Sequence, residues 1–507
     1  MRTDLLEKAP AVVDAVRTPR TIPRPLQHLV VPAAAATTLV ALAWPRIGRR
    51  ALWLDEAYTV GATRDLVTTW RGSGGTMGLY YLLMWPVTRI STDRAWLRTP
   101  SLLAAVATLV VVYEIGRRIG GRRLATGATG TLAVTWALSR YALEARSYTL
   151  ALLLVSLSWL ALIATVQAEA RGDETQTRRW WTLFVVATLL APLAHGMAAL
   201  HFASQMACLA LAPNRRRRLR TCGPLALALL LEQAVLFALG AGEVASWIQP
   251  LNEDQIHRMV RLLLGQGLSQ WIVGGLALVA AVWAVAQFRR SRRLESWLQL
   301  IPVFWLLGAP LLIIAISVAR PYAESRYVLG AVPGAALLVG AALARIRPNA
   351  LAAAAWLVVA VVIIQDQSLI RSTGHENWPR LVDQIASQAH DGDRLLTPAK
   401  LRPPFDFAWA EDNDPGRPNL VALSPTDRVG DVKRFYDTRP GGLRTQLLAD
   451  TTTTVWYVDR ADERLDAVNA LLTDPEVVQA YQASGPQIFT GPLYLIRFEP
   501  RGPEAAL

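Results

Sequence analysis

Lysine and cysteine are both scarce in this chain of 507 residues. The formal net charge of +13 therefore comes almost entirely from arginine, since lysine occurs only as Lys8, Lys400 and Lys433. The two cysteines, Cys208 and Cys222, form neither a CxxC motif nor a disulfide framework. Residues 370–507 also lack a nucleophile elbow, a Walker loop and zinc-ligand spacing.

Long apolar runs dominate the first two thirds of the sequence, and 52% of all residues are apolar. Runs such as 102–112, 149–166 and 350–364 are too apolar for a water-exposed surface. A helix needs about 20 mostly apolar residues to cross a bilayer. Because the runs are continuous and not alternating, they predict a polytopic α-helical membrane protein and not a β-barrel.

Arginine clusters between these runs predict the orientation, because cytoplasmic loops of membrane proteins are rich in basic residues. These clusters also account for the net positive charge of the chain. A nucleic-acid partner is therefore not needed to explain it, and no nucleic-acid-binding motif is present. Segment 1–27 is then cytoplasmic, lacks a recognisable signal peptide, and is followed by about eleven spans. We predict the spans at 28–46, 98–116, 124–140, 148–168, 180–194, 197–212, 223–242, 270–288, 297–318, 327–344 and 349–366.

The cytoplasmic N-terminus and the odd number of spans together place two further regions outside the cytoplasm. The first is an outer loop, 47–97, in which the short apolar segment 77–89 is interpreted as a helix lying on the membrane surface. The second is the tail, 370–507, which follows a transmembrane domain at 28–369. Strand-like runs, a helix-like stretch and turn residues in the tail predict a small extracytoplasmic α/β domain.

Asp55 and Glu56 form the most informative pair in the sequence. They follow the first apolar span directly, where ionisable groups lose hydration that lipid cannot replace. A carboxylate pair at this place indicates a site that meets a proton, a cation or a hydroxyl. The alternative is an acidic pair at a helix end that makes ion pairs with Arg49 or Arg50.

Four segments in order, and a fifth that is a later echo of the family's Arg-Tyr-Leu-Leu-Pro signature, resemble the integral-membrane glycosyltransferases of the C superfold (GT-C). The similarity is to the branch that includes protein mannosyltransferases and bacterial lipid-A aminoarabinose transferases, and it covers roughly residues 28–345. Within it, the Met-Gly-Leu-Tyr-Tyr run is similar to actinobacterial members often labelled mannosyltransferases. The segments are LWLDEAY (52–58), LYYLL (79–83), LRTPSLL (97–103), LEARSYTL (143–150) and SRYVL (325–329).

This resemblance implies a multi-pass enzyme of the cytoplasmic membrane that works on its outer face. The donor would be a polyprenyl-monophosphate sugar, most often mannose, and the acceptor an envelope glycan, lipid or protein. The chain departs from the family at 76–78, where Thr-Met-Gly replaces the frequent His-Pro-Pro or Lys-Pro-Pro. Another residue must therefore contact the lipid phosphate if such a contact is needed.

Glycosyl transfer from a lipid phosphate needs a base for the acceptor hydroxyl and positive charge for the leaving phosphate. Asp55 is the predicted base in an inverting reaction, and Glu56 is expected to orient it, contact the acceptor or hold a divalent cation. No cofactor is required by this chemistry, and the cation stays an open alternative.

Arginines on the predicted outer side are the candidates for the donor phosphate, because a guanidinium presents a fork of donors to phosphate oxygens. Arg326 is the first candidate and Arg146 the second, with Arg140 and Tyr327 beside them. Local ion pairs with Glu144 and Glu324 are the competing explanation for these arginines.

Secondary candidates for acceptor or metal contacts are His195, Glu144 and Tyr81. A lone histidine in a turn more often bonds the nearby backbone, so His195 has that simpler explanation as well. Two other functions stay open from the sequence. One is transfer of arabinofuranose or another pentose from the same type of donor, and the other is transport of a lipid-linked sugar without catalysis.

Overall fold

The computed structural model describes residues 29–501 except 73–74, 214, 240–247, 371–375, 399–400, 412–415, 424–439, 461–464 and 490–491. The predicted cytoplasmic segment 1–27 lies outside the described residues. The described chain consists of a helical part followed by a small α/β part.

The helical part contains fifteen α-helices among the described residues, and 3₁₀ helices at Gly196–Ala199 and Ser325–Ala331. They are α1 (Val30–Ile47), α2 (Leu54–Ala62), α3 (Leu66–Gly72), α4 (Gly78–Ile90), α5 (Arg94–Val134), α6 (Trp136–Tyr141), α7 (Tyr148–Ala170), α8 (Glu174–Ala194), α9 (Leu200–Leu209), α10 (Arg215–Ala238), α11 (Glu253–Leu264), α12 (Gly267–Arg290), α13 (Leu294–Ala319), α14 (Val332–Leu343) and α15 (Asn349–Ile370).

Helix α5 is a hairpin of two spans. Gly120 and Gly121 have non-helical dihedral angles, and the φ of +82° at Gly121 favours glycine. The two arms meet closely, because a Cβ added at Gly116 would lie 2.7 Å from the Cα of Ala125. The two spans predicted at 98–116 and 124–140 therefore correspond to one hairpin with its turn where the sequence has two glycines.

Eight helical segments of the described chain are long and apolar enough to cross a membrane. Because one of them is the α5 hairpin, they account for nine of the eleven predicted spans. The other two predicted spans, 180–194 and 197–212, fall on helices that do not meet this standard. Helix α8 begins in a polar stretch, and the second segment is divided between a 3₁₀ helix and the ten-residue α9.

The apolar helices differ in how deeply they are packed. Helix α7 lies at the centre, with 83% of its most apolar window buried, and it contacts α5 and α8. Helices α10 and α15 are only 22% and 17% buried over the same window, and they expose large apolar side chains such as Leu230 and Leu357. Such surfaces are unfavourable in water and suit a lipid environment. The protein is therefore a polytopic membrane protein, as the sequence predicts.

Between α1 and α5 lie the short helices α2, α3 and α4. Helix α4 has 13 residues, so it is roughly 20 Å long and too short to span a bilayer. Its residues Tyr80 and Met84 are buried against Leu52, Val60 and Leu97. The predicted non-spanning helix at 77–89 is therefore present, and it packs on α2 and α5.

The C-terminal part is a six-stranded sheet with helices, as the tail composition predicts. The strand order is β2-β1-β3-β6-β4, and β5 also pairs with β6. The central pairs are parallel between β1 and β3 and antiparallel between β3 and β6. The elements are α16 (Trp378–Ala386), β1 (Arg394–Leu396), α17 (Arg402–Glu411), β2 (Val421–Ala422), α18 (Pro440–Leu448), β3 (Val455–Arg460), α19 (Leu465–Leu472), α20 (Pro475–Ala480), β4 (Tyr481–Ala483), β5 (Gln487–Ile488) and β6 (Leu493–Pro500).

Both faces of this sheet are covered, because β3 and β6 alternate their side chains between two apolar clusters. Trp456 and Leu495 pack with Trp378 of α16 and Phe405 of α17 on one face. Side chains of the same two strands, including Tyr457, pack with α18 and α19 on the other face. The tail therefore has a core of its own, built on strands that are buried on both sides.

Candidate functional site

The acidic pair of α2 lies where three chain segments meet at one end of the helical bundle. These segments are the start of α2, the connection between α6 and α7, and the 3₁₀ helix Ser325–Ala331. The structure thus brings Asp55 together with Arg146 and Arg326, although 271 residues separate Asp55 from Arg326.

Asp55 forms ion pairs with two arginines through a side chain that stays partly exposed. Its Oδ2 accepts a hydrogen bond from Nη1 of Arg326 at 3.2 Å and lies 3.6 Å from Nη2 of Arg146. Arg146 also donates to the backbone carbonyl of Asp55 at 3.1 Å. The Asp55 side chain keeps 18% of its surface exposed, so a ligand can reach the carboxylate.

Glu56 has the opposite environment, with 1% of its surface exposed. Arg98 donates to both carboxylate oxygens at 2.8 and 2.7 Å, and the backbone N–H of Ala145 donates to Oε1 at 2.8 Å. Arg98 further donates to backbone carbonyls at the end of α1 and in the segment that follows. Glu56 therefore joins α2 to α5 and to the α6–α7 connection, and the partners proposed from sequence, Arg49 and Arg50, are not the ones it uses.

Glu144 is a second buried carboxylate in the same region. Its Oε1 lies 2.9 Å from Nε of Arg140, in the local pair that the sequence left as an alternative for Arg140. Burial raises the pKa of Glu144 above its usual value, and the guanidinium of Arg140 opposes this effect. Burial and the charge of Arg140 lower the pKa of Arg50 to about 10, so this arginine also stays protonated near neutral pH.

Charged side chains of both signs are concentrated at this site. Five arginines and four carboxylates lie close enough to influence one another. The arginines are Arg50, Arg98, Arg140, Arg146 and Arg326, and the carboxylates are those of Asp55, Glu56, Glu144 and Glu324. Burial strengthens the interactions of these charges with one another and with a ligand, because a low effective dielectric constant weakens screening.

Aromatic side chains form the wall next to Arg326. The ring of His195 lies between those of Tyr148 and Tyr327, with centroid distances of 5.5 and 4.9 Å. Burial, followed by the charges of Arg326 and Arg146, lowers the pKa of His195 to about 3. The imidazole is therefore neutral at physiological pH and lines a cavity of about 20 Å³, room for one water, together with His201 and Arg326.

Tyr81 and its neighbour Tyr80 connect α4 to the site. The hydroxyl of Tyr80 lies 2.8 Å from Oγ of Ser101, which donates to the carbonyl of Arg146. Burial raises the pKa of Tyr81, and the nearby Arg146 opposes this shift. Tyr81 thus lies near Arg146, as expected for a site residue.

Sequence reasoning missed two residues at this site. Arg98 lies at the start of the second apolar run, and an arginine there carried the same signal that singled out Asp55. Glu376 lies in the tail, and its carboxylate contacts the start of α2. In the described part of the chain, no three His, Cys, Asp or Glu side chains lie close enough together to hold a metal ion.

Comparisons with solved structures identify the fold. ArnT from Cupriavidus metallidurans in the apo state is similar over 92% of this chain and 97% of its own, with 12% identity and a TM-score of 0.57. The same protein bound to undecaprenyl phosphate covers 94% and 98%, with 12% identity and a TM-score of 0.54. The oligosaccharyltransferase AglB from Archaeoglobus fulgidus, in complex with an inhibitory peptide and a dolichol-phosphate, covers 93% and 74%, with 10% identity and a TM-score of 0.54.

These structures are GT-C membrane glycosyltransferases, so the chain has the GT-C fold that its motifs resemble. No protein-family model matches the chain, and no curated protein matches it by sequence. The fold thus rests on structural similarity that spans nearly the whole chain, including the α/β part.

Proposed function

We propose that the protein is a membrane glycosyltransferase that takes a sugar from a polyprenyl-monophosphate donor. The sugar is mannose in this proposal, and the acceptor is an envelope glycan, lipid or protein on the outer face of the cytoplasmic membrane. The observation that carries the proposal is the group formed by Asp55, Arg146 and Arg326. It joins one accessible carboxylate to two guanidinium groups on a GT-C fold.

In this reaction the acceptor hydroxyl gives its proton to Asp55. The acceptor oxygen forms a bond to the anomeric carbon, and the bond from that carbon to the phosphate oxygen breaks. The bonding electron pair leaves with the phosphate, whose negative charge increases from about one to about two. Arg326 and Arg146 stabilise the developing charge, because preorganised donors in a buried site are worth far more than donors in water.

The ion pairs of Asp55 also imply an order of events. While both arginines contact Asp55, its carboxylate is a weak base. A donor phosphate competes for the same guanidinium groups, and the fork of an arginine suits phosphate oxygens as well as carboxylate oxygens. Donor binding therefore releases Asp55 to accept a proton only when the leaving group is in place.

The same geometry assigns other residues to support. Glu56 has its oxygens occupied by Arg98 and by a backbone N–H, so in this proposal it fixes the start of α2 and not the acceptor. His195 is neutral and buried between two aromatic rings, which favours a wall contact over metal binding. Arg140 neutralises Glu144, and Tyr327 and Tyr81 line the site near the arginines.

The test is transfer of radiolabelled sugar from polyprenyl-phosphate mannose by membranes that contain the protein. We expect Asp55→Asn to lower transfer by roughly 10²- to 10⁴-fold, the usual contribution of a general base, while the membranes still bind the labelled donor. The matched control is Asp254→Asn, since the Asp254 carboxylate is exposed on α11 and pairs with Arg258. Unchanged transfer by Asp55→Asn would remove Asp55 from the reaction.

A further inference from the structure

The C-terminal α/β part is packed directly against the helix that carries Asp55. Helix α17 lies on α2, and the side chain of Leu54 packs on the apolar cluster around Trp378 and Phe405. Phe407 of α17 in turn packs on the cluster formed by Leu52, Tyr80 and their neighbours. The two parts of the chain therefore share an apolar interface at the start of α2.

Glu376 is a buried carboxylate at this interface, with 6% of its surface exposed. Its Oε2 accepts hydrogen bonds from the backbone N–H of Leu54 at 3.1 Å and from the indole of Trp378 at 2.8 Å. Its Oε1 accepts from Arg460, at the end of β3, at 2.8 Å. The carboxylate is thus fixed by the α/β part and used to hold one N–H of the helical part.

That N–H belongs to the residue immediately before Asp55. Leu54 is the first residue of α2, where a helix leaves backbone N–H groups without partners inside the helix. A negative charge at this end is also favoured by the helix dipole. The direction of the first turn, and with it the position of the Asp55 side chain, therefore depends on what Leu54 donates to.

Two carboxylate–arginine pairs contact the start of α2. Glu56 is anchored by Arg98 from the helical part, and Glu376 is anchored by Arg460 from the α/β part. Asp55 lies between Leu54, whose N–H Glu376 accepts, and Glu56, and it keeps contact with Arg146 and Arg326. The second pair is the one that a GT-C helical bundle alone would lack.

We propose that Glu376 is a positioning residue through which the C-terminal domain sets the location of Asp55 for proton transfer. The inference rests on the proposed function and extends it, because it gives the C-terminal domain a part in the chemical step. Glu376 does not touch substrate in this scheme. Its effect passes through the N–H of Leu54 to the first turn of α2.

A proline at position 54 isolates this hydrogen bond. Proline is well tolerated at the first position of a helix, and Trp53, with ψ of 171°, already has the extended conformation that a following proline requires. Leu54→Pro therefore removes the N–H without opposing the backbone. Leu54→Ala is its matched control, since it also loses the leucine side chain but keeps the N–H.

We expect kcat for sugar transfer to be roughly tenfold lower in Leu54→Pro than in Leu54→Ala, because small displacements of a reacting group are costly. The KM for the lipid donor should be equal in the two variants, since the arginines are unchanged. When Glu376→Ala is added to each, the difference between proline and alanine should disappear. Thermal midpoints in detergent provide the check that both proteins are folded.

Equal kcat values for Leu54→Pro and Leu54→Ala would overturn the inference, as would a difference that persists with Glu376→Ala. A second control is Glu411→Gln, which removes another ion pair of the same interface, with Arg94 of α5, and leaves the hydrogen bond of the Leu54 N–H in place; we expect kcat to be unchanged. Failure of the proposed function would look different, because Asp55→Asn would then transfer sugar normally. An active wild type and an inactive Asp55→Asn separate the two failures.

Discussion

The start of α2 has two contrasting regions, although their central carboxylates are adjacent in sequence. Around Asp55 the contacts are ion pairs of 3.2 and 3.6 Å on a partly exposed side chain. Around Glu56 the contacts are shorter, more numerous and buried. The difference separates a group that can exchange partners with a ligand from a group that holds the backbone.

The largest effect on stability should come from the buried region. Glu56→Gln removes the ion-pair partner of the buried Arg98, and breaking a buried pair costs about 3–5 kcal/mol. We expect a lower thermal midpoint in detergent and reduced yield. Asp55→Asn should lower the midpoint less, because the ion pairs of Asp55 are longer and its side chain keeps 18% of its surface exposed. Equal midpoints for the two variants would contradict the contrast.

The largest effect on catalysis after Asp55 itself should come from Arg326. Arg326→Gln removes a donor that we assign to the leaving phosphate, and loss of one such donor lowers kcat by roughly 10²- to 10³-fold. The measurement is single-turnover transfer of labelled sugar at saturating donor. The matched control is Arg178→Gln. The Arg178 side chain is 83% exposed, lies in the second turn of α8 and pairs with Glu174. A loss of similar size in both variants would show that arginine content, and not position, is what matters.

Much of the helical part could be predicted from sequence, because lipid imposes one strong rule. Each apolar run must satisfy its backbone internally, so run length alone identifies spans such as α7 and α13. The turn at Gly120 and Gly121 was predictable for the same reason. The break between segments 180–194 and 197–212 was also predicted, at His195 and Gly196, but α8 and the pair formed by the 3₁₀ helix and α9 are not both long and apolar enough to cross a membrane.

The site residues also divide into those that the sequence predicts and one that it does not. Asp55, Arg146 and Arg326 were predictable because charged residues next to apolar spans are costly and therefore informative. Glu376 was not, because it lies in a polar tail where a glutamate carries no such signal. Its role depends on a contact across 322 residues, which only the folded chain reveals. The sequence thus predicts those residues whose charged side chains are costly in free energy next to a membrane span.

The smallest predicted effect concerns Glu144, which has features of both regions. Burial raises its pKa in the folded state above the ordinary value of 4.5, despite the opposing charge of Arg140. The folded protein then binds more protons than the unfolded chain above pH 4.5, so this group makes stability fall as pH rises through that window. We expect Glu144→Gln to flatten the dependence of the thermal midpoint on pH above 4.5. An unchanged slope would contradict this prediction, since it would mean that Arg140 already compensates the buried charge of Glu144.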